Sequence, residues 1–417
     1  MDALVITGGR RISGRVAISG AKNAALPVMA ATLLMPGKHR LRNMPQLVDT
    51  RTFAKVLETL GARITFQGDE CTIDTTDLTS VEAPYKLVKT MRASIYVLGP
   101  LLARMGAAKV SLPGGCAWGP RPVNLHMTGL EALGAKLKIK RGYIVGENVR
   151  LKGANYTFDV VSVGATAQLM MAAVLAEGTT VLDNVAIEPD ITVLGQVLNA
   201  CGARIQGLGT RRLTIAGVTE LSPIDTTIIP DRIEAATFAA AAAMTGGSIT
   251  LERVVPEHLE ATLTVLEECG CVIVREVDEV TVTGPPRPHA VDVTTLPFPG
   301  FPTDMQAQML ALASIAGGTS VITDTVYLDR FTHVAELRRM GANIELKDNV
   351  AVAKGVEQLS GVQVMATDLR AGAALALAAL VAEGETTISR IYHLDRGYEQ
   401  FEAKLTKLGA QVKRIKE

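Results

Sequence analysis

One cysteine stands where regular structure cannot form. Cys116 lies in the segment 113–122, PGGCAWGPRP, and Gly and Pro at that density break both helix and strand. A loop thiol can act as an acid or, as thiolate, as a nucleophile, and cations near it lower its pKa from about 8.5. The other reading is an inert loop residue. Cations recur in a second pattern. Six apolar runs are each preceded by polar residues: Lys22 and Asn23; Arg92; Ser162 with Gly164; Asp231 and Arg232; Asp304; Asp368 and Arg370. The N-terminus of a helix presents unpaired N–H groups and a partial positive charge of about +0.5. Several such ends reinforced by Lys and Arg would hold a polyanion. Ordinary capping explains Asp231, Asp304 and Asp368 one by one. It does not explain Lys and Arg at the same end, where they oppose the dipole.

The elements that must position these residues repeat. A motif close to L-x-x-[LCM]-G-[AC] occurs with its glycine at 61, 134, 202, 270, 341 and 409, a spacing of 68 to 73 residues. Each copy reads as the end of an amphipathic helix closed by a left-handed glycine, with an alternating strand after it. A second glycine, at 37, 106, 178, 247, 318 and 384, closes the preceding small-residue helix in each copy. That helix is apolar nearly all round, as in AATFAAAAAM and AGAALALAALVA, and a helix without a polar face must be buried. The expected fold is α/β, with six repeats of about 70 residues, helices inside and sheets outside. Period alone also permits a solenoid.

Composition excludes several classes. Lys+Arg and Asp+Glu number 42 each, so the net charge is zero. Bulk electrostatics therefore bring neither nucleic acid nor an anionic membrane. Five cysteines in no regular spacing imply no disulfide framework, and with six histidines out of ligand register they imply no metal site. No apolar run reaches the roughly 18 residues of a membrane span and the N-terminus is not a signal peptide, so the expectation is a cytoplasmic protein.

Read together, the segments SGAKNAALP (19–27), KTMRAS (89–94), LPGGCAWGPRPVNLH (112–126), VSVGAT (161–166), PDRIEAATF (230–238), FPTDMQAQ (301–308), MATDLRAG (365–372) and HLDRGYEQ (393–400) resemble the UDP-N-acetylglucosamine 1-carboxyvinyltransferase family. These are enolpyruvyl transferases of peptidoglycan synthesis, a part of cell-wall biogenesis. The resemblance spans the whole chain. It implies the enolpyruvyl transferase fold, a two-domain inside-out α/β barrel: residues 22–229 as the first domain, with the Cys116 loop, and 1–21 plus 230–417 as the second, three repeats in each. It implies transfer of the enolpyruvyl group of phosphoenolpyruvate to the 3-hydroxyl of UDP-N-acetylglucosamine, with release of phosphate and without cofactor or metal. The alternatives are another acceptor, such as shikimate 3-phosphate, or a catalytically silent UDP-sugar-binding relative.

The resemblance also implies roles. Cys116 is the proton donor to the methylene carbon or the site of a covalent adduct, and the target of fosfomycin. Asp304 is the base for the sugar hydroxyl. Lys22, Asn23, Arg92, Arg121 and Arg396 bind phosphoenolpyruvate, Lys22 and Arg396 also taking part in catalysis. Asn23, Arg92, Arg121, Pro122, Val123, Asn124, Leu125, Ser162, Val163, Gly164, Asp304 and Val326 bind the UDP-sugar. Asp368 and Arg370 orient the site from behind. The chain departs from the family pattern at Val48 and Val160, where lysine is common (or proline at 160), at Asn124 for Asp, and at Tyr96 for Trp. Three of these touch the nucleotide side, where a lost cation would weaken the hold on phosphate.

Overall fold

The computed structural model describes residues 2–89, 91–112, 123–147 and 149–416. Cys116, Arg121 and Pro122 lie outside the described residues. The chain forms two compact units, Gly20–Ile229 and Met1–Ser19 with Pro230–Glu417.

In the Gly20–Ile229 unit the helices Lys22–Ala31, Leu98–Met105 and Val163–Ala173 form the centre. Small residues let them approach closely. A side chain grown on Gly99 would stand 2.8 Å from the Gln168 carbonyl oxygen. Around them lie three four-stranded sheets. Their strands alternate, and in Lys38–Arg42 His39 and Leu41 turn inward. Each sheet takes one parallel strand from a neighbouring repeat. The strand Asp225–Thr227, after the third repeat, pairs with Lys38–Arg42 of the first. The unit therefore closes on itself, which a solenoid cannot do.

The second unit is built alike around Arg232–Thr245, Gln306–Ala313 and Leu369–Val381, which pack on one another. Residues 235–243 of the first of these helices are buried throughout, as its lack of a polar face requires. Asp231 starts it, its carboxylate accepting from the N–H groups of Ile233 (2.8 Å) and Glu234 (3.1 Å). Three four-stranded sheets surround this core as well. In the sixth repeat the strand Asp2–Thr7 lies between Glu385–Ser389 and Gln411–Lys416, antiparallel to both. The next strand, Ser13–Ala17, runs parallel to Ser248–Glu252 of the fourth repeat.

All six repeat glycines, from Gly61 to Gly409, have positive φ, between 90° and 106°. The second landmark shifts once. In the fourth copy the left-handed residue is Gly246 rather than Gly247. Gly247 has instead given up its side chain because a Cβ there would meet the Ile12 carbonyl at 1.8 Å. Each unit is a layer of buried helices inside separate sheets, and no sheet among the described residues closes into a barrel.

Candidate functional site

In the Gly20–Ile229 unit Lys22 opens its helix with no side-chain cap before it. Its Nζ lies 3.2 Å from Oδ2 of Asp49, a buried carboxylate in the first turn of the helix Val48–Thr59. Asn23 beside it is exposed. Arg92 opens the 3-10 turn Arg92–Val97 and faces His126 closely enough to help lower that imidazole's pKa. Burial is the larger cause, and together they bring His126 to about 4, so its ring is neutral. His126 belongs to the helix Asn124–Ala132, and its Nδ1 is buried without a partner. Its ring edge comes within 3.3 Å of the place a Cβ on Gly164 would occupy, so a side chain there would press on the imidazole. Ser162 caps the Val163–Ala173 helix through the Ala165 N–H at 3.2 Å. Arg92, Ser162, Val163 and Gly164 are all partly accessible, as are Val123 and Leu125, while Asn124 is exposed. Val48 and Val160 stand 50% and 63% exposed, so lysine would fit at either without repacking.

In the second unit Asp304 sits in the 3-10 turn Thr303–Met305 ahead of Gln306–Ala313. It caps neither element, since no side chain caps either one. The N-cap reading of Asp304 is therefore wrong. Its two oxygens are taken by arginines: Oδ1 lies 2.7 Å from Nη1 of Arg330, and Oδ2 accepts from Nη2 of Arg370 at 2.9 Å. Burial alone would push this carboxyl up. The charges of Arg370 and Arg330 outweigh it and hold Asp304 well below the ordinary carboxylate range. Its side chain remains a quarter exposed, whereas that of Arg370 is 3% exposed.

The turn beneath Asp304 is fixed by Asp324. That buried carboxylate accepts from Thr295 (2.8 Å), from Thr303 (2.6 Å) and from the N–H groups of Val326 (2.9 Å) and Tyr327 (2.8 Å). Arg330 also donates to Thr303 at 3.1 Å. Val326 itself is exposed. Asp368 caps Leu369–Val381 through the N–H groups of Arg370 and Ala371. It thus sets the helix that carries Arg370 and makes no contact with Asp304 of its own. Arg396 ends the 3-10 turn Leu394–Arg396, partly accessible.

The structure thus joins Asp304 to Arg370, sets Arg92 within electrostatic reach of His126, and packs His126 beside Gly164. It adds Asp49, Arg330, Asp324 and His126, which sequence reasoning did not single out. Asp49 adjoins Val48 in a segment read for its missing lysine. Arg330 and Asp324 carry no local signal, because their partners are distant in sequence. Among the described residues no group of His, Cys, Asp and Glu could hold a metal, and no helix is long and apolar enough to cross a membrane.

Chemically, the arrangement offers a carboxylate kept ionised between guanidinium groups, and helix starts furnished with cations. The fold it rests on is that of the enolpyruvyl transferases. The enolpyruvyl transferase NikO from Streptomyces tendae superposes with a TM-score of 0.88 at 27% identity, over 99% of each chain. EPSP synthase from Acinetobacter baumannii shares the fold, with a TM-score of 0.79 at 17% identity over 100% of both. The model of the EPSP synthase (3-phosphoshikimate 1-carboxyvinyltransferase) family matches residues 6–405, and the chain belongs to that family. Proteins named UDP-N-acetylglucosamine 1-carboxyvinyltransferase match it from end to end. Those of Geobacter metallireducens and Dichelobacter nodosus are each 54% identical, and that of Myxococcus xanthus 52%, with 100% of both chains covered in every case.

Proposed function

We propose that this chain transfers the enolpyruvyl group of phosphoenolpyruvate to the 3-hydroxyl of UDP-N-acetylglucosamine, the first committed step of peptidoglycan synthesis, and that it works in the cytoplasm. The observation that carries the reading is the identity of more than half the residues, over the full length, with proteins of that name. The reaction is an addition followed by an elimination. A proton goes to the methylene carbon, the sugar oxygen attacks the adjacent carbon, and the tetrahedral adduct then loses phosphate together with a proton of the new methyl group, which restores the double bond. It needs an acid, a base and fixed positive charge.

In this reading Cys116 supplies the proton or carries an adduct, and Asp304 takes the proton of the sugar hydroxyl. A carboxylate held this low is a weak base but is always ionised. Weak basicity suffices because protonating the methylene leaves an electron-poor carbon, and the attacking hydroxyl becomes acidic as its bond forms. Lys22, Arg92, Arg121 and Arg396 would neutralise the phosphate and carboxylate of phosphoenolpyruvate, with Asn23 beside them. The partly accessible start of Val163–Ala173, with Ser162, Val163 and Gly164, suits a diphosphate. Pro122, Val123, Asn124, Leu125 and Val326 would complete the contacts to the UDP-sugar.

The test is release of inorganic phosphate. It should require both substrates and survive EDTA. Release with shikimate 3-phosphate but not with the UDP-sugar would overturn the acceptor, and release with neither would overturn the reaction.

A further inference from the structure

We propose that Tyr398 is a positioning residue of this reaction, fixing the Arg370 guanidinium and through it the Asp304 carboxylate. The inference rests on the reading of Asp304 as the base. Tyr398 lies two residues beyond Arg396 and is 2% exposed. Its hydroxyl is 2.9 Å from Oγ1 of Thr237, on Arg232–Thr245. Nε2 of Gln308, on Gln306–Ala313, donates to both oxygens, at 3.2 Å to Tyr398 and 3.1 Å to Thr237. Thr237 commits its own hydrogen to the Ile233 carbonyl at 2.7 Å. Between Thr237 and Tyr398 the phenol is therefore the donor. Burial raises the pKa of Tyr398, which keeps that proton in place. The hydroxyl is thus pinned to two of the three central helices.

The third helix carries Arg370, whose Cζ lies 5.4 Å from the centre of the Tyr398 ring, within the range of a cation–π contact. Arg370 spends Nη2 on Asp304, while Nε and Nη1 are buried without a hydrogen-bond partner. A guanidinium with two idle donors gains by turning toward any acceptor, because a buried unpaired N–H is costly. The Tyr398 ring beneath the guanidinium is what holds it square to Asp304. Phe401 and Phe238 already fill the space beside Tyr398, the Tyr398 and Phe401 rings being 5.1 Å apart and those of Phe238 and Phe401 5.7 Å. Filling alone would need no hydroxyl. The charged or titratable groups facing the pair are Arg330, which holds the other oxygen of Asp304, and Asp231, whose charge reaches both Arg370 and Tyr398.

The test compares Tyr398→Phe, Thr237→Val and Thr237→Ser with wild type and Asp304→Ala, by kcat, KM and the pH profile of kcat. Tyr398→Phe should lower kcat about tenfold, the scale of a small misplacement, and leave KM for the UDP-sugar within about twofold. The acid limb of kcat should also move to higher pH. The arginines keep that limb low by favouring ionised Asp304, and a looser Arg370 lets the carboxyl climb. Thr237→Val should move the limb the same way by less, and Thr237→Ser, which keeps the hydroxyl, should restore it. Should Tyr398→Phe not fold, the Thr237 pair decides alone. An acid limb that coincides with wild type in both Tyr398→Phe and Thr237→Val overturns the proposal, even if kcat falls. Turnover retained by Asp304→Ala would instead overturn the base itself.

Discussion

The two units place opposite charges at the starts of central helices. At the start of a central helix in the Gly20–Ile229 unit, one lysine leans on one carboxylate, Lys22 on Asp49 at 3.2 Å. At the start of a central helix in the other unit, one carboxylate is clamped by two arginines at 2.7 and 2.9 Å. Lysine is a point charge on a flexible stem, and a single contact leaves it free to turn to a ligand. Arginine presents a planar fork that fixes what it binds. The repeat supplies helix ends in both places. In the proposed reading, the side chains make one of them a binder of anions and the other a fixed base.

Thiol chemistry tests the comparison most sharply, because both units are otherwise silent there. Cys71 and Cys201 in one unit, and Cys269 and Cys271 in the other, are buried. Burial pushes Cys71, Cys269 and Cys271 up to about 12 and Cys201 up to about 11. At neutral pH a thiol of ordinary pKa has on the order of a hundred times more thiolate, or more, than any of these. Fosfomycin, the inhibitor implied by the family resemblance, should add once per chain, at Cys116, and faster with the UDP-sugar present. Peptide mass spectrometry showing label spread over the other four would end the assignment.

Next in size is Asp304→Ala, for which turnover should fall by at least about 100-fold, the contribution of a positioned base. The same change strips Arg370 of its partner, so the unfolding free energy should fall by about 3 kcal/mol. Phosphate release within a few-fold of wild type would reduce Asp304 to a structural residue. Denaturant titration showing no loss of stability would mean that the clamp is not tight.

Acid should act on both units. Burial lowers His39 and His126 to about 4 and His333 to about 3. In the unfolded chain each titrates near 6.5, so the unfolded state alone takes up protons as pH falls from about 6.5 to 4, and stability drops over that window. Burial lowers His258 and His393 as well, in the same unit as His333, so both units should lose hydrogen-exchange protection over this window. Asp304 responds in the same direction, in a lower window. Its depressed pKa stabilises the fold at all pH above its ordinary value of about 3.9, and that contribution is lost only below it. Protection unchanged down to about pH 4 in either unit would contradict this. The smallest effect expected is a gain: Val160→Lys and Val48→Lys should each lower KM for the UDP-sugar a few-fold with kcat unchanged, as partly exposed charges do. A KM unchanged in the double variant would place the phosphates elsewhere.

Periodicity made the scaffold legible, since each repeat glycine sits where only a left-handed residue closes the helix. The all-apolar helices announced their burial. The partners of the site residues were not legible. Asp304 looked like a cap because caps are local, but Arg330 reaches it from a separate loop, and only the folded chain brings the two together. Tyr398 stood inside a quoted motif, HLDRGYEQ, without distinction, because its meaning lies in Thr237 and Gln308 on other helices. Gly246 took the left-handed role expected of Gly247, a shift of one residue that sequence cannot resolve when two glycines adjoin.

The strand Asp2–Thr7 pairs with Gln411–Lys416 so that Asp2 faces Lys416. In the second repeat the corresponding strands are one hairpin, Leu137–Lys140 and Tyr143–Gly146, joined by Arg141 and Gly142, both at positive φ. The sixth sheet thus makes by pairing of distant segments what the second makes with a two-residue turn. A two-residue Asn-Gly turn between residues 416 and 2 would join those segments. New ends opened at residues 141 and 142 would leave every strand its neighbours. Such a circular permutant should fold to the same two units, because every strand keeps its register.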